Sequence, residues 1–152
     1  SPVEVGAGTR AAIYVIVYTG ITRKARDILA KQSAATDNKR TDLDVVRQQA
    51  VAVRNAVESG DHSTVGQVLD ASWQIKRNRV DGITATALDE LYTSVIELGA
   101  TGGKLLGAGG GGFFLFQGPS EIRTEVEKTH KVIPLVMDSA GSTIIFDDGS
   151  RL

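Results

Sequence analysis

The sequence predicts an α+β domain in which helices pack on one face of an antiparallel sheet. Two observations lead to this prediction. Short apolar stretches typical of strands lie towards both ends of the chain, and several amphipathic helical patterns lie between them. Strands that pair across intervening helices are typical of an α+β sandwich. With 152 residues, of which 41% are hydrophobic, the chain is long enough for a single domain with a core.

The first predicted strand is AAIYVIVYTG, from Ala11 to Gly20. Its unbroken series of β-branched and aromatic residues is typical of a strand that is buried on both faces. A helix is expected next, because Thr22 can serve as its N-cap and the following apolar residues keep helical spacing. Those residues are Ala25, Ile28 and Leu29.

The second predicted helix begins with a capping box formed by Thr41 and Asp44. Gly60 is expected to end it, because glycine readily adopts the left-handed backbone that closes a helix. The apolar stripe of this helix consists of Val46, Ala50, Val53 and Val57.

A third helix is predicted from Asp61, which serves as its cap. Its C-terminal part contains Lys76, Arg77 and Arg79, whose charges suit the negative end of the helix dipole. The stripe of this helix consists of Val65, Val68, Leu69, Ser72 and Trp73.

A fourth helix is predicted from the capping box formed by Thr86 and Asp89, and Gly99 is expected to end it. Its stripe consists of Leu88, Leu91, Tyr92, Val95 and Ile96. The C-terminal part then predicts strand, glycine loop and strand in GGKLLGAGGGGFFLF, from Gly102 to Phe116. A short helix at Pro119 and two further strands, VIPLVM and STIIF, complete the prediction.

Composition excludes several classes of function. Seventeen basic and eighteen acidic residues leave a net charge near −1, and no basic block interleaves with aromatic residues, so nucleic acid is not an expected partner. The absence of cysteine excludes disulfides and thiolate metal sites, and it suits a cytoplasmic location. No apolar stretch approaches membrane-spanning length and no signal peptide is visible, so no membrane partner is expected.

The glycine stretch fails two common phosphate-binding patterns. Gly107, Gly109 and Gly112 match G-x-G-x-x-G, but that fingerprint requires a helix next, whereas a strand is predicted. A Walker A loop is excluded because Leu98 and Leu105 occupy two of its essential positions. Two interpretations remain. The backbone N–H groups of this loop form a nest for an anion, with a lysine nearby, or the loop is a tight structural turn.

The residues TGGKLLGAGGGGFFLF resemble the third, C-terminal motif of the GHMP kinases, a family of small-molecule kinases. YTGITRKARDIL, ASWQIKRNRVDGIT and VMDSAGSTIIF are similar to the branch that phosphorylates D-glycero-D-manno-heptose 7-phosphate. The resemblance extends from about Ala12 to Phe146. It implies a ferredoxin-like C-terminal kinase domain over residues 1–152 and an ATP-dependent transfer of phosphate to the anomeric hydroxyl of the sugar.

The resemblance also implies what the chain lacks. Nucleotide in this family is held mainly by an N-terminal domain, whose P-x-x-x-G-L-G-S-S-A phosphate loop is missing from this sequence. We therefore expect ATP and Mg²⁺ to be bound mainly by that domain as a partner, and we expect no catalytic residue and no metal site here. The chain should fold alone, associate with itself through apolar surface, and be inactive alone. Two alternatives stay open: another GHMP kinase, galactokinase-like or mevalonate kinase-like, or a non-catalytic module for metabolite binding or oligomerisation.

The resemblance suggests two groups of binding residues. The loop residues are expected to line the cleft near the substrate and the transferred phosphate, with Lys104 as a further candidate: Gly107, Ala108, Gly109, Gly110 and Gly111. Thr19, Gly20 and Arg23, at the strand-to-helix junction, are candidates for the sugar phosphate. The alternatives are a solvated Lys104, a helix cap at Thr22 and an exposed Arg23.

Other candidates are weighed against simpler roles. Trp73 with Lys76 and Arg77 would stack on and clamp a sugar, but its place on an apolar stripe favours core packing. The only two histidines, His62 and His130, are expected at the surface rather than in a metal site. Asp147 and Asp148 precede a glycine, which is typical of a turn.

Overall fold

Four strands of the described residues form a sheet, in which each strand is antiparallel to its neighbours. The structure is a computed structural model that describes residues 12–21, 39–77, 83–107 and 111–135. Its strands are β1 (Ala12–Tyr18), β2 (Gly102–Leu105), β3 (Phe113–Pro119) and β4 (Val132–Ile133). They lie in the order β2-β3-β1-β4. Helices pack against this sheet, which confirms the predicted α+β fold.

One face of the sheet forms the core. In the pairing of β1 with β3, Val15 lies opposite Phe116 and Val17 lies opposite Phe114, and all four side chains are buried. Leu105 of β2 joins them opposite Phe114. Since side chains alternate between the two faces of a strand, these residues share the face that forms the core.

The prediction that β1 is buried on both faces is wrong. Tyr14, Ile16 and Tyr18 share the face opposite to the core, and they are only half-buried. The described helices cover this second face incompletely, whereas they close the first. A series of β-branched and aromatic residues therefore predicted the strand but not how much of each face is covered.

Helix α1 (Lys39–Ser59) packs on the next helix. It begins two residues before the predicted capping box, and it ends as predicted at Gly60, whose φ is +73°. Its predicted apolar stripe does not form its buried side, because Val46 is 55% exposed and Val57 is 50% exposed, whereas Ala56 is buried. Among the described elements, the main contact of helix α1 is with the next helix.

Helix α2 (His62–Arg77) has the predicted cap. The side chain of Asp61 accepts hydrogen bonds from the Thr64 backbone N–H at 3.1 Å and from the Thr64 hydroxyl at 2.6 Å. These bonds stabilise the carboxylate and lower the pKa of Asp61. Val65 and Trp73 of the predicted stripe are buried, which confirms the side of α2 that faces the core.

Helix α3 (Ile83–Glu97) begins before the predicted capping box, so Thr86 lies inside the helix instead of at its cap. Its end is as predicted, because Gly99 has a φ of +110° and the next residue, Ala100, donates its N–H to the carbonyl of Val95. The predicted short helix follows β3 as α4 (Ile122–Glu127), but it begins later than predicted, because Pro119 is the last residue of β3. The buried residues of these two helices are Leu88, Tyr92, Val95, Ile122 and Val126.

Four rings form the centre of the core, which we call the aromatic core: Trp73, Tyr92, Phe114 and Phe116. The Trp73 and Phe114 rings meet edge to face with centroids 4.9 Å apart, and the other contacting pairs lie within 5.8 Å. The glycine at position 103 makes room for this group, because a Cβ there would collide with the Phe116 ring. Trp73, only 1% exposed, is a core residue as predicted.

Several predictions fall on residues outside the described part. They concern the helix after Thr22, the last strand STIIF, and the turn at Asp147 and Asp148. In the described part of the chain, no helix is both long and apolar enough to cross a membrane.

Candidate functional site

Two turns meet at one end of the sheet. Residues 19–21 follow β1, and Gly111 and Gly112 precede β3. The Thr19 backbone N–H donates to the Gly112 carbonyl at 2.9 Å, and the Gly112 N–H donates to the Ile21 carbonyl at 2.8 Å. We call this region, together with residues 105–107 after β2, the loop end.

The Thr19 hydroxyl fastens the same contact. It lies 3.0 Å from the Gly112 carbonyl oxygen as a donor and accepts the Ile21 backbone N–H at 3.1 Å. The hydroxyl hydrogen and one of the two acceptor lone pairs of Thr19 are therefore used within the protein in this conformation. The candidate role of Thr19 at the sugar phosphate stays a prediction.

Glycine is required at two positions of the loop end. Gly111 has a φ of +134°, and a Cβ there would collide with the carbonyl oxygen of Ile21, so the two turns approach more closely than a side chain allows. Gly107 has a φ of +70°, and no described atom lies within 4 Å of the place its Cβ would take. The first glycine serves a close approach of two backbones, whereas the second serves a turn that faces open space.

A lysine from a helix reaches this loop. Lys76, in the last turn of α2, donates its Nζ to the Leu105 carbonyl at 3.0 Å and to the Gly107 carbonyl. Burial lowers the pKa of Lys76, and the charge of Lys104 lowers it further. The sequence analysis considered Lys76 at the helix dipole and in a sugar clamp but not at this loop, because nothing in its spacing shows which backbone a lysine will contact.

Lys104 contributes a second positive charge. It lies on β2 opposite Leu115 and is half-buried, so it is not the fully solvated lysine of the simpler interpretation. Neither Lys76 nor Lys104 forms an ion pair within the described ranges. Among the described residues, the loop end therefore has two positive charges that no carboxylate pairs with.

The structure brings together Thr19, Gly20, Lys104, Gly107 and Gly111 at the loop end. The remaining candidates lie outside the described residues: Arg23, Ala108, Gly109 and Gly110. Two independent parts of the chain that were singled out for phosphate binding thus converge in space. The resemblance suggested each part as a binding site, but neither it nor the spacing predicted that the two parts lie at one end of the sheet.

The alternative sugar clamp is wrong. Trp73 is buried in the aromatic core and has no free face for a sugar. Arg77 forms an ion pair with Asp89 at 2.9 Å, whereas Lys76 binds backbone carbonyls of the loop end. The two cations therefore do not face one ligand together. Three neighbours in sequence therefore have three different environments.

The histidines are less exposed than predicted. His62 is half-buried, and its Nδ1 lies 3.1 Å from the Tyr14 hydroxyl. His130 is also half-buried, with its Nε2 3.2 Å from the Ser94 hydroxyl. Both side chains connect a helix or its end to a neighbouring element. The described residues contain no group of three His, Asp or Glu side chains placed to hold a metal ion.

Comparison with known proteins agrees with this geometry. Residues 52–132, more than half of the chain, match the family model of the GHMP kinases C-terminal domain. Over 104 residues the chain is 34% identical to the D-glycero-alpha-D-manno-heptose 7-phosphate kinase of Campylobacter jejuni, covering 67% of this chain and 31% of that protein. It is 26% identical to the mevalonate kinase of Aeropyrum pernix, covering 100% of this chain and 47% of that protein.

A solved structure gives the same fold. The mevalonate kinase of L. major in complex with R-mevalonate matches with a TM-score of 0.61 and 23% identity, over 78% of this chain and 38% of that one. The chain spans less than half the length of each of these relatives. On the family match and the 34% identity, the chain belongs to the GHMP kinase family, as the C-terminal domain of such a kinase.

Proposed function

We propose that this chain is the C-terminal domain of an ATP-dependent sugar kinase that phosphorylates the anomeric hydroxyl of D-glycero-D-manno-heptose 7-phosphate. The observation that carries the proposal is the 34% identity to the heptose 7-phosphate kinase of Campylobacter jejuni over two thirds of the chain. Identity to the mevalonate kinase of Aeropyrum pernix is lower, at 26%. The sugar phosphate is therefore the substrate that the comparisons favour.

The proposed role of the loop end follows from the chemistry of phosphoryl transfer. The transferred group needs positioning and charge stabilisation more than covalent chemistry. Backbone N–H donors held in a fixed geometry, with Lys104 beside them, supply both. The Gly112 N–H is already used on Ile21, so the proposal assigns phosphate to the amides before it. Those amides belong to Gly107, Ala108, Gly109, Gly110 and Gly111.

The junction after β1 has a separate proposed role. Thr19, Gly20 and Arg23 would face the phosphate that the sugar already carries. The Thr19 N–H and hydroxyl both donate to the Gly112 carbonyl and hold the junction against the loop, so in this conformation Thr19 would position the junction, while Gly20 and Arg23 would contact the phosphate. One end of the sheet would then meet both phosphates of the reaction.

ATP and Mg²⁺ belong to the same proposal, bound mainly by an N-terminal domain with its own phosphate loop. The share of the relatives that this chain spans, 31% and 47%, leaves room for such a domain in them. We propose a cytoplasmic enzyme, and we propose that the 152 residues alone do not turn over ATP. The half-covered second face of the sheet, with Tyr18 and Phe113, would support contact with the other domain or self-association.

A mevalonate kinase-like activity is the second candidate. The mevalonate kinase of Aeropyrum pernix is aligned with 100% of this chain, whereas the heptose kinase is aligned with 67%. The loop cannot distinguish the two substrates, because it would address phosphate, which both reactions transfer.

The test measures ADP release by the complete gene product with three acceptors: D-glycero-D-manno-heptose 7-phosphate, mevalonate and galactose. We expect turnover with the heptose phosphate and little with the others. Turnover with mevalonate alone would replace the first candidate by the second, and no turnover with any acceptor would refute the kinase proposal. The 152-residue chain is assayed in parallel, and turnover by it would refute the proposed need for a second domain.

A further inference from the structure

We propose that Lys76 is a positioning residue for the glycine loop, which holds the beginning of the loop through the carbonyls of Leu105 and Gly107 and thereby raises the rate of phosphoryl transfer. The kinetic part of this inference rests on the proposed kinase function. The anchoring part concerns only the structure of the loop, and it can be measured without any substrate.

The geometry supports an anchor across the point where the chain leaves the sheet. Leu105 is the last residue of β2, and Gly107 is the first residue after it with a left-handed backbone. The Lys76 Nζ donates to the carbonyls of both. A single ammonium group therefore ties the regular end of the strand to the beginning of the turn.

The surroundings of Gly107 give this contact its importance. A glycine has no side chain that could pack and fix its backbone, and no described atom lies within 4 Å of the position of its missing Cβ. On the strand side, the Leu106 N–H is held by the Phe113 carbonyl at 2.8 Å. At Gly107 itself, the hydrogen bond from Lys76 is the contact that the structure shows.

The charge of Lys76 indicates more than a packing role. Burial and the neighbouring Lys104 both disfavour its ammonium form, and within the described ranges no carboxylate pairs with it. A neutral donor would satisfy the two carbonyls at lower cost. A cation at position 76 is explained if the loop that it holds receives an anion. The positive charge of Lys76 would then attract the anion together with that of Lys104.

The first experiment measures loop order in the 152-residue chain. Amide hydrogen exchange at Leu106 is followed by NMR in wild type, Lys76→Met, Lys76→Arg and, as a matched control from the same helical turn, Arg77→Met. We expect Lys76→Met to speed exchange at least about fivefold, the factor for loss of a hydrogen bond worth about 1 kcal/mol. Lys76→Arg should restore slow exchange, and Arg77→Met should leave it unchanged.

The second experiment measures kinetics in the complete gene product with ATP and heptose 7-phosphate. We expect Lys76→Met to lower kcat about ten- to a hundredfold, since a displacement of about 1 Å of the catalytic parts has an effect of that size. The KM values should change much less, because the lost interaction positions the transition state more than it binds the substrates. Lys76→Arg should recover most of kcat, and the melting temperature of every variant is recorded on the same preparation.

The outcomes separate the two proposals. Unchanged exchange in Lys76→Met, or equal losses in Lys76→Met and Arg77→Met, would overturn the anchor. Faster exchange with an unchanged kcat would overturn the dependence of catalysis on it, and a Lys76→Arg protein as defective as Lys76→Met would overturn hydrogen-bond donation as the cause. If wild type itself shows no turnover, the proposed function fails, and the exchange experiment alone decides whether Lys76 anchors the loop.

Discussion

The aromatic core and the loop end both adjoin strand β3, but different interactions hold each of them together. The aromatic core is a group of buried rings around Phe114, where the free energy comes from apolar burial and ring contacts. The loop end is held by hydrogen bonds between backbones, one threonine hydroxyl and one lysine. The first region should therefore set the stability of the domain, and the second should set the geometry of a site at modest cost in stability.

The largest expected effect is in the aromatic core. Phe114→Ala removes a fully buried ring that contacts Trp73, Tyr92 and Phe116. It should lower the free energy of unfolding by about 3–5 kcal/mol, because apolar burial is lost and a cavity is left. Chemical denaturation of the 152-residue chain measures this loss. A cost below about 1 kcal/mol would show that the ring contributes little to the core.

Gly111→Ala tests the loop end, and it should lower activity by more than the loss of stability explains. The new Cβ would collide with the Ile21 carbonyl oxygen, and the residue would keep an unfavourable positive φ, at a cost of about 1–3 kcal/mol. We expect the two turns to separate, so that kcat of the complete gene product falls much further than its unfolded fraction explains. Gly99→Ala is the control, since it also has a positive φ but lies away from the loop end. Proportional losses of activity and stability in both variants would reduce Gly111 to a structural turn.

Sequence patterns predicted the aromatic core better than the loop end, for a physical reason. The stripes that contain Trp73 and Tyr92 report burial, because apolar periodicity is a local signal of the side that faces a core. The bonds from Thr19 to Gly112 and from Lys76 to Gly107 join residues far apart in sequence, and no local periodicity encodes them. The resemblance predicted the loop as a site, which stays a prediction, and it did not single out Lys76, which bonds the Leu105 and Gly107 carbonyls.

The same reasoning explains the wrong stripe of α1. Val46 and Val57 repeat with helical spacing, yet they lie on the exposed side, whereas Ala56 faces α2. Periodicity shows that a helix has an apolar side, but it does not show whether another element covers that side. The helix boundaries at Gly60 and Gly99 were predicted correctly, because a left-handed glycine is a local signal.

Thr19→Val should have a smaller effect that sharpens the role of the loop end. The substitution keeps the shape of the side chain but removes the hydroxyl that bonds the Gly112 carbonyl and the Ile21 N–H. We expect about 1 kcal/mol of lost stability and a larger relative loss of kcat. The control is Thr93→Val on the exposed side of α3, for which both quantities should stay near wild type. If Thr19→Val keeps full kcat, the junction after β1 does not position the reaction.

The smallest expected effect is a pH dependence of stability that comes from Tyr92 and develops only in alkaline solution. Burial and the hydrogen bond from its hydroxyl to Asp70 raise the pKa of Tyr92 above its ordinary value of 10.0. The unfolded chain therefore loses this proton first, so the stabilisation is fully present below pH 10 and is lost as the pH rises towards the folded-state pKa. Burial also raises the pKa of Tyr14, which therefore adds to this alkaline loss of stability. Lys76 has the opposite effect, because its lowered pKa favours the folded state as the pH rises towards 10.5. Denaturation of the 152-residue chain between pH 8 and 11 should show a smaller alkaline loss of stability in Tyr92→Phe than in wild type. Identical slopes in the two proteins would show that the proton of Tyr92 is not held more tightly in the folded state, and that the bond to Asp70 does not contribute as the structure indicates.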